Sequence, residues 1–203
     1  MAGEQVRREQ GASQELSVVF ASLSLCEAGG EGRGEGGWLQ GSQAPEFVSG
    51  NCLPTAESNL RVRPWQSTDL PRVEALDTAA FGVSRQRLLA ALAPQSLAAL
   101  VVESQSGDLA GYGFLRPGSR ALYLGPVVAA SPVAGLLLVE ALVARSEGQT
   151  IFWDIPDQNT AAVAWATDHG LTSQRPLTRM FLGRNQVPGL PSQLFALAGP
   201  EVG

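Results

Sequence analysis

The sequence predicts an α/β fold, a mixed and twisted sheet of about seven strands with four helices. Short apolar runs separated by turn signals fill the first half of residues 59–185 and indicate hairpins. Two strand–helix units follow, and such crossovers make neighbouring strands parallel. The chain has 203 residues, of which 44% are hydrophobic and 16% charged, which suffices for one domain with extra segments.

The first half of this predicted domain combines hairpin strands with two short helices. The first helix begins at Thr68 or Asp69 and stops at Gly82, and the second is capped by Ser84 and ends at Pro94. The predicted strands are residues 60–63, 97–103, 109–116 and 121–128.

The second half contains the two strand–helix units. Ser131 followed by Pro132 marks a helix start, because serine caps well and proline fits the first helical position. This helix runs to about Ser146, and the next spans residues 157–169 and is ended by Gly170. The predicted strands are residues 150–155, 171–174 and 178–182.

The flanks differ from this domain. Residues 1–58 are expected to form a flexible or low-order tail, because residues 29–41 are rich in glycine and poor in apolar area. The apolar run at residues 16–26 is too short to span a bilayer and reads as a strand or helix remnant or a disordered segment. Residues 186–203, with three prolines, are expected to be an irregular tail.

Several functional classes are disfavoured by composition. A net charge of −5 gives no basic field for nucleic acid or anionic lipid. We expect no metal, because His169 is the single histidine and Cys26 and Cys52 lack metal-ligand spacing. The first residues contain several glutamates, whereas a secretory signal begins with a positively charged region. A cytoplasmic location is therefore expected.

A family resemblance rests on short blocks in order along the chain: LDTAAFGVSR, AGYGFLRPG, YLGPVVA, FWDIPDQN, RPLTRMFLG and AGPEVG. The spacing of Asn159, Ala162, Trp165 and Gly170 also looks like the last helix of that family. From residue 60 onward the chain resembles the C-terminal acetyltransferase domain of YitH/HolE-type proteins in the GNAT N-acetyltransferase superfamily. Those relatives have another GNAT domain first, for which residues 1–58 offer no room.

The resemblance implies an acetyl-CoA-dependent N-acetyltransferase that acts on a small-molecule amine by direct attack on the thioester. The alternative is a catalytically weak or inactive GNAT-like domain used for binding or dimerisation, which leaves a homodimer open. Backbone N–H groups at a helix start would hold the CoA pyrophosphate. The implied cofactor-binding residues are Val127, Val128, Ala129, Ser131, Ala134, Gly135 and Asn159.

Simpler interpretations of these residues stay open. The Ser131 helix start is also compatible with an ordinary buried helix, and Asn159 with a capping residue. Gly125-Pro126 interrupts a strand and predicts either a bulge that opens the sheet to the pantetheine arm or an edge-strand proline.

Ala166 stands where the family commonly has a tyrosine that protonates the CoA thiolate. Tyr123, on the strand beside the expected thioester, is the candidate substitute, and Tyr112 is a weaker one. A phenol suits this step because its ordinary pKa is near 10.

For the general base we consider Asp154 and then Glu103, because a carboxylate can accept a proton from the amine. The alternative for Asp154, which proximity of the RPLTRM block favours, is a structural pair with Arg175 or Arg179 in that neighbouring segment. Arg179 is also a candidate for recognising an anionic group of the substrate.

Overall fold

The computed structural model describes residues 17–23, 59–179 and 185–200. Its helices are α1 (Leu70–Phe81), α2 (Gln86–Leu92), α3 (Pro132–Val143) and α4 (Thr160–Asp168). Its strands are β1 (Ser17–Leu23), β2 (Arg61–Pro64), β3 (Ala98–Glu103), β4 (Leu109–Pro117), β5 (Leu122–Ala129), β6 (Ile151–Pro156), β7 (Thr172–Thr178) and β8 (Leu194–Ala196).

One mixed sheet runs through the described residues in the order β2-β3-β4-β5-β6-β1-β7, and β8 joins it by pairing with β5. The pair β5–β6 is parallel, as expected for strands joined through α3, whereas the other pairs are antiparallel. The predicted fold class, a mixed sheet with four helices, is therefore confirmed.

The sheet is covered on both faces. Helices α3 and α4 pack on one face over a cluster that includes Leu124, Leu138 and Trp153. Helices α1 and α2 pack on the other face over a cluster that includes Tyr112 and Phe114. Successive strand residues point to opposite faces, so β3, β4 and β5 each contribute to both clusters.

A buried polar cluster fixes α1 and α2 to the sheet. Asp77 of α1 accepts hydrogen bonds from Arg85, at 2.7 and 3.0 Å, and from the Tyr112 hydroxyl. Burial, then the Asp77 charge, raises the pKa of Tyr112 well above its ordinary value. Tyr112 therefore keeps its proton and donates to Asp77 on the face of the sheet that α1 and α2 cover.

Three elements differ from the sequence-based expectations. Within the expected N-terminal tail, β1 pairs with both β6 and β7 and so separates them. Within the expected irregular C-terminal tail, β8 is a buried strand paired with β5. The strand expected at residues 171–174 lies within the longer strand β7, and the strand expected at 178–182 falls mostly on residues 180–184, which lie outside the described part.

Candidate active site

The central feature is a cleft between β5 and β6. The two strands pair only from Leu122 to Leu124 on β5, and no further pairing between them is described. Opposite β4, the register of β5 shifts between Leu124 and Val127, because Gly125 and Pro126 form a bulge. Gly125 has φ of 143°, a conformation that favours glycine. The predicted bulge is confirmed.

Tyr123 and Asp154 meet at the point where the cleft opens. Leu122, Leu124, Trp153 and Ile155 face α3 and α4, so Tyr123 and Asp154 face the side of α1 and α2. The Tyr123 hydroxyl donates a hydrogen bond to Oδ2 of Asp154. Asp154 is fully buried, whereas Tyr123 is half-buried. A phenol donor and a buried carboxylate therefore form one unit, hereafter the Tyr123–Asp154 pair.

Arg116 of β4 supports Tyr123. Its guanidinium carbon lies 4.7 Å from the centroid of the Tyr123 ring. Its Nε donates to the carbonyl of Gly125 at 2.7 Å, and a terminal nitrogen donates to the carbonyl of Ala198. One cation thus links the tyrosine, the bulge and the end of the described chain.

The start of α3 lies beyond the bulge, at the end of β5. Ser131 is the N-cap, since its Oγ accepts from the N–H of Ala134 at 3.3 Å, as predicted. Pro132 carries no N–H, and the N–H of Gly135 bonds to the Ser131 carbonyl at 3.0 Å. An anion here would therefore meet mainly the N–H of Val133 and the positive end of the helix dipole.

Asn159 has two structural tasks. Its Oδ1 accepts from the N–H of Ala162 at 3.0 Å and so caps α4. Its Nδ2 donates to the carbonyls of Ser192 and Leu194, at 3.0 and 3.1 Å. The capping interpretation is confirmed, and the link to residues 192–194 is a role that sequence reasoning missed.

Residues 191–198, hereafter the C-terminal segment, lie in the cleft. On β5 the segment pairs with Val127 and Val128, and toward β6 the N–H of Leu197 donates to the carbonyl of Asp154 at 2.9 Å. Residues 194–198 are all buried. The backbone of Val127 and Val128, expected to be available for a pantetheine arm, is thus paired with the chain itself.

The last helix carries no phenol toward the cleft. Ala166 is 4% exposed and belongs to the core under α3 and α4. Trp165 packs edge-on against Trp153 with ring centroids 5.8 Å apart, and the exposed His169 stacks on Trp165. Trp165 therefore packs against the core, whereas His169 lies at the exposed end of α4.

Glu103 lies away from the Tyr123–Asp154 pair. It sits at the end of β3, two strands from β5, and accepts from Arg63 at 2.6 Å and from Arg72 at 3.4 Å. The hydrogen bond from Arg63 holds the pKa of Glu103 below its ordinary value. Glu103 is therefore an ion-pair partner at the sheet edge, and we leave it out of the site.

Arg179 follows β7 and lies against α1. Its guanidinium carbon is 4.7 Å from the centroid of the Phe81 ring, over which Arg85 also lies, at 3.7 Å. Burial, then the charge of Arg85, lowers the pKa of Arg179. The remaining candidate site residues form three groups: the Tyr123–Asp154 pair, the start of α3 at Ser131, and Arg179 beside α1.

Two further features concern the described residues as a whole. None of their helices combines the length and apolar character needed to cross a membrane. Across residues 17–23, 59–179 and 185–200, no group of three or more His, Cys, Asp or Glu side chains is placed to hold a metal ion.

Comparisons with known proteins give a consistent result. Residues 73–196 match a family model described as an acetyltransferase (GNAT) domain. A protein of Bacillus subtilis (strain 168), described as the uncharacterized N-acetyltransferase YitH, is 29% identical over 107 residues. These residues make up 53% of this chain and 38% of that protein.

Solved structures agree at the level of the fold. A putative acetyltransferase from Pyrococcus horikoshii is similar with a TM-score of 0.55 and 19% identity, over 72% of this chain and 46% of that one. A GCN5-related N-acetyltransferase from Sphaerobacter thermophilus has a TM-score of 0.51 and 11% identity, over 81% and 51%. The matched regions thus cover only 38% to 51% of these relatives.

Proposed function

We propose that this chain, which belongs to the GNAT acetyltransferase family, transfers the acetyl group of acetyl-CoA to a small-molecule amine. The single observation that supports this most is the Tyr123–Asp154 pair where β5 and β6 part. A proton donor and a proton acceptor stand together there, beside a bulge that turns one strand away from its neighbour. Amine acetylation needs one group that accepts a proton from the amine and one that gives a proton to the departing thiolate.

Asp154 is the general base of this proposal. The amine must lose a proton as its nitrogen attacks the thioester carbon, and a carboxylate takes that proton directly or through one water. Asp154 is fully buried, which keeps competing water away from the charge. The new C–N bond forms as the C–S bond of acetyl-CoA breaks.

Tyr123 is the general acid. Its hydroxyl gives a proton to the departing thiolate, and the resulting phenolate recovers a proton from Asp154 through their hydrogen bond. The products are the amide and the free thiol of CoA, so the pair returns to its starting state. Arg116 favours this cycle, because its guanidinium carbon lies 4.7 Å from the centroid of the Tyr123 ring and its positive charge stabilises the transient phenolate.

Acetyl-CoA would be held mainly by backbone groups. The pantetheine arm would lie along Val127 and Val128, and the pyrophosphate at the Ser131-capped start of α3. Ala129, Ala134 and Gly135 are small enough for close approach, and Asn159 lies at the start of α4. Arg179 is proposed to meet an anionic group of the amine substrate.

A second function, a GNAT domain that binds or dimerises without catalysis, is favoured by two observations. The C-terminal segment fills the cleft that acetyl-CoA would use. Replacement of the usual helix tyrosine by the buried Ala166 points the same way. The two functions differ in whether acetyl transfer is measurable.

The test compares two tyrosines that each donate to a fully buried carboxylate, Tyr123 to Asp154 and Tyr112 to Asp77. Either phenylalanine variant should lower the free energy of unfolding, by about 1–3 kcal/mol, because a buried carboxylate loses one of its hydrogen-bond donors. Turnover, measured as thiol release from acetyl-CoA with a panel of small amines, should fall about 100-fold or more for Tyr123→Phe only.

Tyr112→Phe is the matched control, since Tyr112 lies on β4 and serves the cluster under α1. Wild-type turnover in Tyr123→Phe would remove Tyr123 from the chemistry. If the wild-type chain transfers no acetyl group to any amine of the panel, the second function is favoured.

A further inference from the structure

We propose that the C-terminal segment is an internal strap that occupies the path of the pantetheine arm and must leave before acetyl-CoA binds. The inference rests on the proposed function, because it assigns the cleft between β5 and β6 to the cofactor. It adds that the chain regulates access to its own site.

The backbone of the segment uses the groups that the cofactor would need. Two ladder pairs join it to β5, Val127 with Ala196 and Val128 with Leu194. On the other side, the N–H of Leu197 donates to the carbonyl of Asp154 on β6 at 2.9 Å. The extended backbone of the segment therefore bridges β5 and β6 where they part. A pantetheine arm that pairs with the same residues of β5 can bind only after the segment has left.

Side chains of the neighbouring elements hold the segment in place. Nε1 of Trp153 donates to the carbonyl of Phe195 at 2.8 Å. Asn159 donates to the carbonyls of Ser192 and Leu194. The carbonyls of Ser192, Leu194 and Phe195 thus accept hydrogen bonds from neighbouring side chains, which stabilises the segment in the core.

Phe195 extends the block to the helix start. Its ring is 1% exposed and lies on Gly135 in the first turn of α3, where a Cβ would overlap the ring. Because Gly135 has no side chain, the Phe195 ring of the strap can pack directly against the first turn of α3. The same turn is the proposed place of the pyrophosphate.

The segment also contacts the residues next to the Tyr123–Asp154 pair. The carbonyl of Leu197 lies against Gly125, where a Cβ would overlap it, and Arg116 donates to the carbonyl of Ala198. Release of the segment would therefore open the cofactor path and the reactive pair together.

The arrangement suits release because the strand is short. It spans three residues, Leu194–Ala196, and most of the preceding residues 185–193 are exposed. A cofactor that binds only the open state has an apparent dissociation constant raised by the inverse of the open fraction. Any change that weakens the strap should therefore tighten CoA binding.

The first arm of the test is calorimetry with CoA on Phe195→Ala, which removes the ring from Gly135. Affinity should rise by about tenfold or more, in line with a larger open fraction. Leu142→Ala is the matched control: it truncates an equally buried side chain near the far end of α3, where Leu142 contacts Gly113. CoA affinity should be unchanged in that variant.

The second arm locks the strap by a disulfide. Val127 and Ala196 are direct cross-strand partners, which is the spacing that a disulfide spans. The double variant Val127→Cys/Ala196→Cys, made in a Cys26→Ser/Cys52→Ser background, should bind no CoA when oxidised and recover binding on reduction. The oxidised and the reduced forms of the same preparation are compared, so each preparation serves as its own control.

The third arm uses the unmodified chain and hydrogen exchange. CoA should increase amide exchange in residues 194–198, although ligands usually protect the amides around them, because the strand is displaced. CoA binding with unchanged exchange there, together with wild-type affinity in Phe195→Ala, would overturn the strap and leave the proposed function standing. Absence of CoA binding in every full-length form, including Phe195→Ala, would overturn the cofactor assignment and the strap with it.

Discussion

Tyr123 and Asp154 are the two side chains on which the proposed chemistry depends, and both are singled out by sequence reasoning. Tyr123 stands beside the Gly125-Pro126 interruption, and Asp154 is the acidic residue inside an otherwise apolar strand. Their hydrogen bond, however, needs the parallel register of β5 and β6, which pairs Tyr123 with Phe152. Local sequence does not specify such a register, so contact between the two was not predictable.

Residues with two partners show where local sequence is insufficient. The sequence is compatible with Asn159 as a cofactor contact or as a cap, and in the structure it caps α4 and also donates to Ser192 and Leu194. The sequence allows Glu103 as a base, but Arg63 lies beside it through the pairing of β2 with β3. In both cases the deciding partner is more than thirty positions away in the sequence.

Arg63 gives a prediction about pH. It pairs with Asp69 at 2.7 Å and with Glu103 at 2.6 Å, and its hydrogen bonds lower the pKa of both carboxyl groups. A folded-state pKa below the unfolded one contributes stability that is complete above the ordinary values of 3.8 and 4.5. This contribution is lost as the pH falls through the folded pKa values.

Arg63→Gln should therefore lower the free energy of unfolding by about 1–2 kcal/mol near neutral pH, and the difference from wild type should shrink below about pH 4. Urea denaturation at a series of pH values measures this. Arg72→Gln is the control: its side chain is 43% exposed and lies 3.4 Å from Glu103, so the loss should be smaller. A difference that grows as the pH falls would contradict the assignment.

At the scale of elements, helix ends were predicted best because their signals are local. Ser131 caps α3 and Gly82 ends α1 with φ of 100°, as the sequence indicates. Local sequence does not indicate the pairing of β1 and β8, the two strands outside the expected domain. Their sequences are short, and what makes them strands is the unpaired edge or cleft that receives them.

The two capping residues give a prediction at this scale. Ser131→Ala should cost about 1 kcal/mol of unfolding free energy, the usual value of a cap. Asn159→Ala should cost about 2–4 kcal/mol, because it removes the cap of α4 and two further hydrogen bonds. Asn159→Ser, which keeps a capping oxygen, should fall between them in urea denaturation. Equal losses for Ser131→Ala and Asn159→Ala would show that the bonds to the C-terminal segment contribute nothing.

At the scale of the whole molecule, the order of strands and helices carried the fold assignment. Hairpins followed by two crossovers allow few topologies, and the parallel pair β5–β6 is where the α3 crossover requires it. The occupant of the cleft was not predictable, since the prolines of residues 186–203 predict irregular chain while the cleft itself forms only in the folded sheet. Under the proposed function, a cleft filled by the C-terminal segment would make acetyl transfer depend on release of that segment.

A crystal structure of the chain soaked with acetyl-CoA tests the central claim most directly. The account predicts pantetheine along Val127 and Val128, the C-terminal segment displaced from between β5 and β6, and the thioester sulfur within hydrogen-bond reach of the Tyr123 hydroxyl. Acetyl-CoA bound elsewhere, or bound with its sulfur away from Tyr123, would contradict it.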